Sequence, residues 1–234
     1  MSTTAIKRTW REAMADAIAF RDLFPSTCYE RWEVAGSLRR RVAEVGDVEH
    51  VVIPRVGQQR DGLFGEPKPV NLLWHHLDAM LHGGAVSKHL YGTAGTRWGP
   101  KYRGSEYRGR CHEIWTADAD NFGAQLAIRT GPGDFSRRLV TSLQGHGYVN
   151  DGGYVWDKSA VTCPCGWSGT FVGLLRVRPG EAPEALWTNG EGEPVVCPGC
   201  RRGDRLGMTR VSVPGEQQYF ALCGMRWIPP EARR

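Results

Sequence analysis

Near the start of the chain apolar residues recur at helical spacing. Ile6, Trp10, Met14, Ala17, Ile18 and Phe24 predict an amphipathic helix over residues 5–24, ended by Pro25. The stretch RWEVAGSLRRR (31–41) then predicts a short strand, a Gly-Ser turn and an arginine-rich helical turn. DVEHVVIPR (47–55) predicts a β-branched strand stopped by Pro54. Glycine and proline dominate residues 56–69, which read as a surface loop, and NLLWHHLDAMLHGG (71–84) reads as a helix closed by glycines. CHEIW (111–115) predicts a strand, ADADNFGAQLAIRTG (117–131) a capped helix, and residues 134–144 a second helix stopped by Gly145 and Gly147. A turn flanked by short strands follows over 148–156, and EQQYFALCGM (216–225) gives a last helix. Short helices and strands in this mixture, with no internal repeat, predict an α+β fold.

Composition narrows this little. With 41% hydrophobic and 24% charged residues among 234, the chain is ordinary globular protein, long enough for one large domain or two small ones. Thirty glycines and 14 prolines exclude a long helical bundle. No apolar run approaches the ~20 residues of a membrane span, and the first residues lack the apolar core of a signal peptide. The expectation is a soluble, cytoplasmic protein with no membrane partner.

Of 30 basic residues, 25 are arginine and five lysine. The arginine fork suits phosphate, and so a nucleotide or nucleic acid, while a GC-rich genome produces the same bias. RWGPKYRGSEYRGR (97–110) interleaves five basic residues with Trp98, Tyr102 and Tyr107 and is a candidate phosphate and base-contact surface, a solvated loop being the alternative. Lys101 and Arg103 are its candidates for contact with a triphosphate or a primer.

The sharpest chemistry lies between Ala35-Gly36-Ser37 and Asp47-Val48-Glu49. Residues i and i+2 of a strand share a side, so Asp47 and Glu49 present two carboxylates to one point. Such a pair repels itself unless cations hold it, and hard divalent ions with oxygen ligands, magnesium first, are the natural partners in phosphoryl transfer. Gly36 permits close backbone approach to a phosphate, Ser37 offers a hydroxyl, and Arg40 is placed to clamp triphosphate oxygens.

AGSLRRR together with VGDVEHVVIPR resembles the palm signature of the family X DNA polymerases, the group containing DNA polymerase beta, within the nucleotidyltransferase superfamily. NFGAQLAIRTGP is similar to that family's Phe-Gly helix and Thr-Gly-Ser turn, and nine residues before Phe122 lies Glu113, which the resemblance makes the third carboxylate. TGPGDFSRRLVTSLQGHGYVNDGGYVW (130–156) resembles the family's thumb helix and Gly-Tyr strand, and YFALCGMRWIPPEARR (219–234) its closing helix and Ile-Pro-Pro-Glu ending. The resemblance implies a nucleotidyltransferase palm over 1–131, a small mixed sheet with helices on one face, and a thumb over 132–234. It implies nucleotide contacts from Gly36, Ser37, Arg40, Gly46, Arg129, Thr130 and Gly131, and two Mg2+ or Mn2+ ions on Asp47, Glu49 and Glu113.

The sequence also departs from the family. Glu49 and Glu113 stand where aspartates are usual, and Ile128 and Arg129 replace the aromatic pair that helps exclude a ribose 2′-hydroxyl, so sugar discrimination is expected to be weak. Gly131-Pro132 replaces a Gly-Ser pair whose peptide is cis, which implies a cis bond here. No counterpart of the family's lyase domain or of its helix-hairpin-helix fingers motif is recognisable, and the expectation is a palm and thumb only, a minimal, phage-type form.

Cys163-Pro-Cys165-Gly-Trp and Cys197-Pro-Gly-Cys200 are separated by 31 residues. Two such knuckles suit one tetrahedral structural zinc, and no thioredoxin-like pattern surrounds either pair. By the family comparison this zinc ribbon, 161–205, is inserted into the thumb. Arg201, Arg202, Arg205 and Arg210, with Trp167 and Trp187, form a candidate nucleic-acid surface on it. Cys28, Cys111 and Cys223 read as core thiols. His75 and His76 are adjacent and share no helical face, which makes them poor metal ligands. His112 should point away from Glu113.

Three readings follow. The first is a monomeric, metal-dependent DNA polymerase that extends a DNA primer-template with nucleoside triphosphates in replication or repair, in a bacterial or phage-infected cell. The second is a template-independent nucleotidyltransferase acting on RNA, protein or a small molecule. The third is a catalytically weak nucleic-acid-binding protein built around the zinc ribbon.

Overall fold

A computed structural model describes residues 7–60, 65–178, 181, 187–188, 193–204 and 206–234. Ile6 and Arg205 lie outside the described residues. The first helix, α1 (Trp10–Arg21), is shorter than its apolar pattern. A capping box fixes its start: the Thr9 side chain accepts from Glu12 N while the Glu12 carboxylate accepts from Thr9 N at 2.9 Å.

Five strands form the main sheet: β1 (Tyr29–Val34), β2 (Val48–Pro54), β3 (Ser87–Lys88), β4 (Tyr102–Tyr107) and β5 (Arg110–Thr116), in the order β1-β2-β5-β4-β3. The central β2–β5 pair is parallel and its neighbours are antiparallel, so the sheet is mixed as expected. Alternation along β2 and β5 sends His50, Val52, His112 and Ile114 to one face and Glu49, Val51, Glu113 and Trp115 to the other. The short α2 (Gly36–Arg39) follows β1, and Phe20 of α1 and Leu73, Trp74 and Leu77 of α3 (Leu72–His82) close the first face around Val52 and Ile114.

Helices cover both faces, not one. Beyond the carboxylates the second face turns apolar at Val51, Ile53 and Trp115, which gives Phe122 and Leu126 of α4 (Phe122–Thr130) a surface to bury. Residues 56–69 also differ from a plain loop: Val56–Arg60 pairs with Pro67–Asn71 as a separate hairpin. Its strands pair only with each other, and such an edge tolerates Pro67 and Pro69.

The other side of α4 enters a second core. Ala124 and Ala127 meet Phe135, Leu139 and Leu143 of α5 (Gly133–Gly145) and Tyr219 and Phe220 of α6 (Glu216–Leu222). At Gly123 a Cβ would run into the Gly215 backbone, so the approach of the α6 entry to α4 requires glycine there. Beside this core β6 (Tyr148–Asp151) pairs with β7 (Tyr154–Thr162), and β7 also pairs with β8 (Ser168–Gly169) and β9 (Gly207–Val211).

A buried ion network joins the two regions. Glu216 receives two hydrogen bonds from Arg39, at 2.8 and 2.7 Å, and one from Arg233 at 2.7 Å. Removing one member of such a network typically costs about 3–5 kcal/mol, because a charge is left buried alone. Arg39 is thus structural, and Arg41 pairs with Glu231 at 3.3 Å on the surface. The Gly131-Pro132 peptide is trans, since the described residues contain no cis bond. Proline keeps a modest trans preference, and Gly131 at ψ 154° already extends the chain into α5.

Cys163, Leu174, Trp187, Val195, Cys197 and Leu206 are buried together with Val161 of β7 and Met208 of β9, a small core that ties this segment to the neighbouring sheet. Leu175–Arg176 pairs with Val195–Val196 there. None of the seven cysteines forms a disulfide.

Candidate active site

The parallel register puts Glu49 directly opposite Glu113, and Asp47 precedes β2 by one residue. The turn that carries Gly36 is pinned to the same strand by Ala35 N donating to Glu49 O at 2.8 Å. Gly36 has φ +59°, and a Cβ there would run into Glu49 Oε2. Its freedom from a side chain therefore makes room first for a carboxylate of this chain. Gly36→Ala is expected to lower stability by about 1–3 kcal/mol through left-handed strain and to displace Glu49; a melting curve with a divalent-cation titration checks both.

Electrostatics mark this place as unbalanced without a cation. Burial, then the charges of Asp47 and Glu113, push the Glu49 carboxyl up to about 8, with Arg129 and Arg40 opposing. Asp47 keeps an exposed edge, yet partial burial and then Glu113 raise it as well. Among the described residues none donates a hydrogen bond to the Glu49 carboxylate. A donor set of mutually repelling oxygens fits a hard divalent cation.

Two cations of the protein border the carboxylates. Arg129 lies over the Trp115 ring at 3.3 Å, its Nε buried without a partner, where burial lowers its pKa against the pull of Glu49 and Glu113. Arg40 donates from Nη1 to Thr130 O at 2.6 Å. Gly46 O accepts from Arg110 Nη1 at 3.2 Å. Arg110, whose own side chain is 1% exposed, also bonds Val45 O and Asp16 and so anchors the turn that presents Asp47.

The structure thus gathers Asp47, Glu49, Glu113, Gly36, Arg40 and Arg129, with Ser37 half-buried on the same turn. Thr130 differs from its expected role. It is fully buried and its hydroxyl accepts from Arg39 at 2.8 Å, so it braces the turn from inside. At Gly131 a Cβ would press on Phe135 and Ser136, so that glycine serves the α5 entry.

The 97–110 stretch is an open basic surface only in part: Arg97, Lys101 and Arg108 are exposed, while Arg103 is half-buried and Arg110 buried. Arg103 lies over Trp74 at 4.6 Å and Trp98 at 4.9 Å and pairs with Asp78 at 2.7 Å. Lys101 bonds Gly152 O at 2.7 Å, and Arg97 covers Tyr91 at 4.6 Å. Of the interleaved aromatics, Trp98 takes Arg103 and Lys88 and Tyr107 takes Arg108, while Tyr102 packs against Trp115. His112 does point away from Glu113: it stacks on Phe20 at 4.1 Å and meets His50 Nε2 at 3.2 Å, a buried pair closed by Trp32 Nε1 donating to His50 Nδ1 at 3.0 Å.

In a separate cluster the sulfurs of Cys163, Cys165, Cys197 and Cys200 all lie within 4.8 Å of one another. Four thiols closing on one point fit a tetrahedral soft-ligand metal site. The surrounding arginines are more engaged than the sequence implied: Arg210 pairs with Asp120 at 2.6 Å and covers Tyr154, and Arg202 pairs with Asp204 at 2.7 Å.

The mixed sheet and its helices, with three carboxylates beside a Gly-Ser turn, form a polymerase beta-like fold. Among solved structures it is similar to polymerase beta of Leishmania infantum, determined as a ternary P/T complex, with a TM-score of 0.61 at 17% identity over 99% of this chain and 78% of that one. No protein-family model and no curated protein matches the sequence. No helix of the described residues is long and apolar enough to cross a membrane.

Proposed function

We propose that the chain is a metal-dependent nucleotidyltransferase of DNA-polymerase type, adding nucleotides to a primer 3′-hydroxyl with release of pyrophosphate. The observation that carries this reading is the register match of Glu49 with Glu113, with Asp47 two residues before Glu49 and Gly36-Ser37 above it. Asp47, Glu49 and Glu113 would hold two Mg2+ or Mn2+ ions, which when bound activate the attacking oxygen and stabilise the leaving one. Glu113 lies nearest the primer 3′-hydroxyl. The Ser37 hydroxyl, the backbone at Gly36 and Gly46, and Arg40, released from Thr130 O, bind the β and γ oxygens of the incoming triphosphate. Arg129, flat on Trp115, faces the nucleotide sugar. The four cysteines hold a structural zinc ion.

Extension of a gapped primer-template with each nucleotide, in Mg2+ or Mn2+, tests the reading against Asp47→Ala as the inactive control. Template-matched addition by the wild type is the expected result. Untemplated addition would transfer the site to another acceptor, and DNA binding without extension would leave the zinc-bearing segment as the working part. Comparable use of dNTPs and NTPs is expected at Arg129, where no aromatic pair is present.

A further inference from the structure

Two phenols converge on Glu113. Tyr102 Oη donates to Glu113 Oε1 at 2.6 Å and Tyr91 Oη donates to the same oxygen at 2.8 Å, while the two hydroxyls also touch each other. Both donors use Oε1, and among the described residues no donor reaches Oε2. One oxygen is therefore fixed and the other is left without a donor, near enough to Asp47 and Glu49 that the Glu113 charge raises the pKa of both.

The two tyrosines come from different elements, and each is held by its own surroundings. Tyr102 belongs to β4 and packs against Trp115 of β5, ring centroids 4.1 Å apart. Tyr91 lies in the loop before β4, closed by its N–H donating to Gly95 O at 2.9 Å, and its ring is fixed between His89 at 4.7 Å and the Arg97 guanidinium at 4.6 Å. Gly104 is the β4 residue opposite Glu113, and a Cβ there would strike the Tyr91 hydroxyl. The backbone leaves a gap at that point, and the phenol fills it.

We propose that Tyr91 and Tyr102 are positioning residues that lock the Glu113 carboxylate by one oxygen and so present the other to a divalent cation. A glutamate has one more rotatable bond than an aspartate, and a ligand that swings loses affinity to the entropy of ordering it. Two donors on one oxygen remove that freedom before the cation arrives, as outer partners of metal ligands commonly do. The extra methylene at position 113 is thereby what lets the carboxylate reach the phenols. This inference rests on the nucleotidyltransferase reading for the identity of the cation.

The test uses the full chain with Tyr91→Phe/Tyr102→Phe, which keeps both rings, and separately Glu113→Asp, which withdraws the carboxylate from the phenols. Mn2+ binding by the nucleotide-free protein is read by electron paramagnetic resonance, and primer extension beside it. The double variant is expected to bind Mn2+ about 10-fold more weakly and to lose about 10–100-fold in kcat with KM for the nucleotide nearly unchanged. Glu113→Asp should show the same loss in wild-type surroundings, although it is the shorter acid. Unchanged Mn2+ affinity in the double variant, at a melting temperature like the wild type's, overturns the proposal. If that variant is unstable, a Glu113→Asp protein that binds Mn2+ as tightly as the wild type overturns it instead. Should the wild type extend no primer while the phenylalanines still weaken Mn2+ binding, the polymerase reading fails and the positioning role stands.

Discussion

Glu49→Gln is expected to abolish nucleotide transfer while making the metal-free protein harder to melt at alkaline pH. The activity loss, about 10²–10³-fold or more, is the scale of removing one preorganised electrostatic group from an active site. The stability gain follows from linkage. Burial and the neighbouring acids raise Glu49 from an ordinary 4.5 to about 8, so between those values the folded chain keeps a proton that the unfolded chain has released. Stability tied to this group is fully present below the lower value and declines as pH rises to the upper one. Glutamine carries no such proton, and the decline disappears with it. At pH 8 without metal the variant should therefore melt several degrees above the wild type, at about 2–4 °C per kcal/mol for a chain of this size, and at pH 5 the two should nearly coincide. Mg2+ should raise the wild-type curve at pH 8 and leave the variant's almost unmoved. Thermal melts at two pH values, with and without Mg2+, check this; a variant that melts no higher than wild type at pH 8 would mean that Arg129 and Arg40 already neutralise the site.

The buried histidines bend the same curve in the opposite direction. Burial lowers His50 from 6.5 to about 3 and His112 to about 2, so acidification below about 6.5 charges them only in the unfolded chain and costs stability. The metal-free protein is expected to be most stable on the weakly acidic side of neutral.

Cys197→Ser should remove the zinc and unfold residues 163–206 without unfolding the rest. The buried group there is small, and two of its members, Cys163 and Cys197, are themselves proposed zinc ligands. Structural zinc in fragments of this kind supplies on the order of 10 kcal/mol at neutral pH, more than so small a core provides. Hydrogen exchange should show protection lost at Val195–Cys197 and kept in β2, and metal analysis should fall from one zinc per chain to none. DNA affinity measured on the same sample decides whether this segment grips nucleic acid. Affinity unchanged after the zinc is gone would make it a purely structural element.

What was legible in the sequence depended on period and spacing. Asp47 and Glu49 could be assigned to one side of a strand because side chains alternate, and the register later placed Glu49 against Glu113. Helices α3, α5 and α6 were readable from apolar recurrence bounded by glycine and asparagine. The arginines were not. Arg39, Arg103 and Arg110 are written like surface residues, and only the fold shows Glu216, the Trp74 and Trp98 rings, and Asp16 waiting for them. Tyr91 was equally hidden, since its contact with Glu113 depends on a gap at Gly104 that no local pattern records. The glycine-rich stretch at 56–69 was misread because a hairpin pairing only with itself needs no apolar alternation.

The nine residues of α4 leave no side idle. Phe122 and Leu126 serve one core, Ala124, Ala127 and Ile128 the other, Gly123 admits Gly215, Gln125 bonds Gly153 O, Arg129 faces the carboxylates, and Thr130 receives both Arg39 and Arg40. A helix in that position has almost no room for neutral drift: nearly every substitution disturbs a second neighbour while satisfying the first. Among diverging relatives of this chain, α4 should change last and in concert with its contacts, and a mutational scan should find it the least tolerant segment of the molecule.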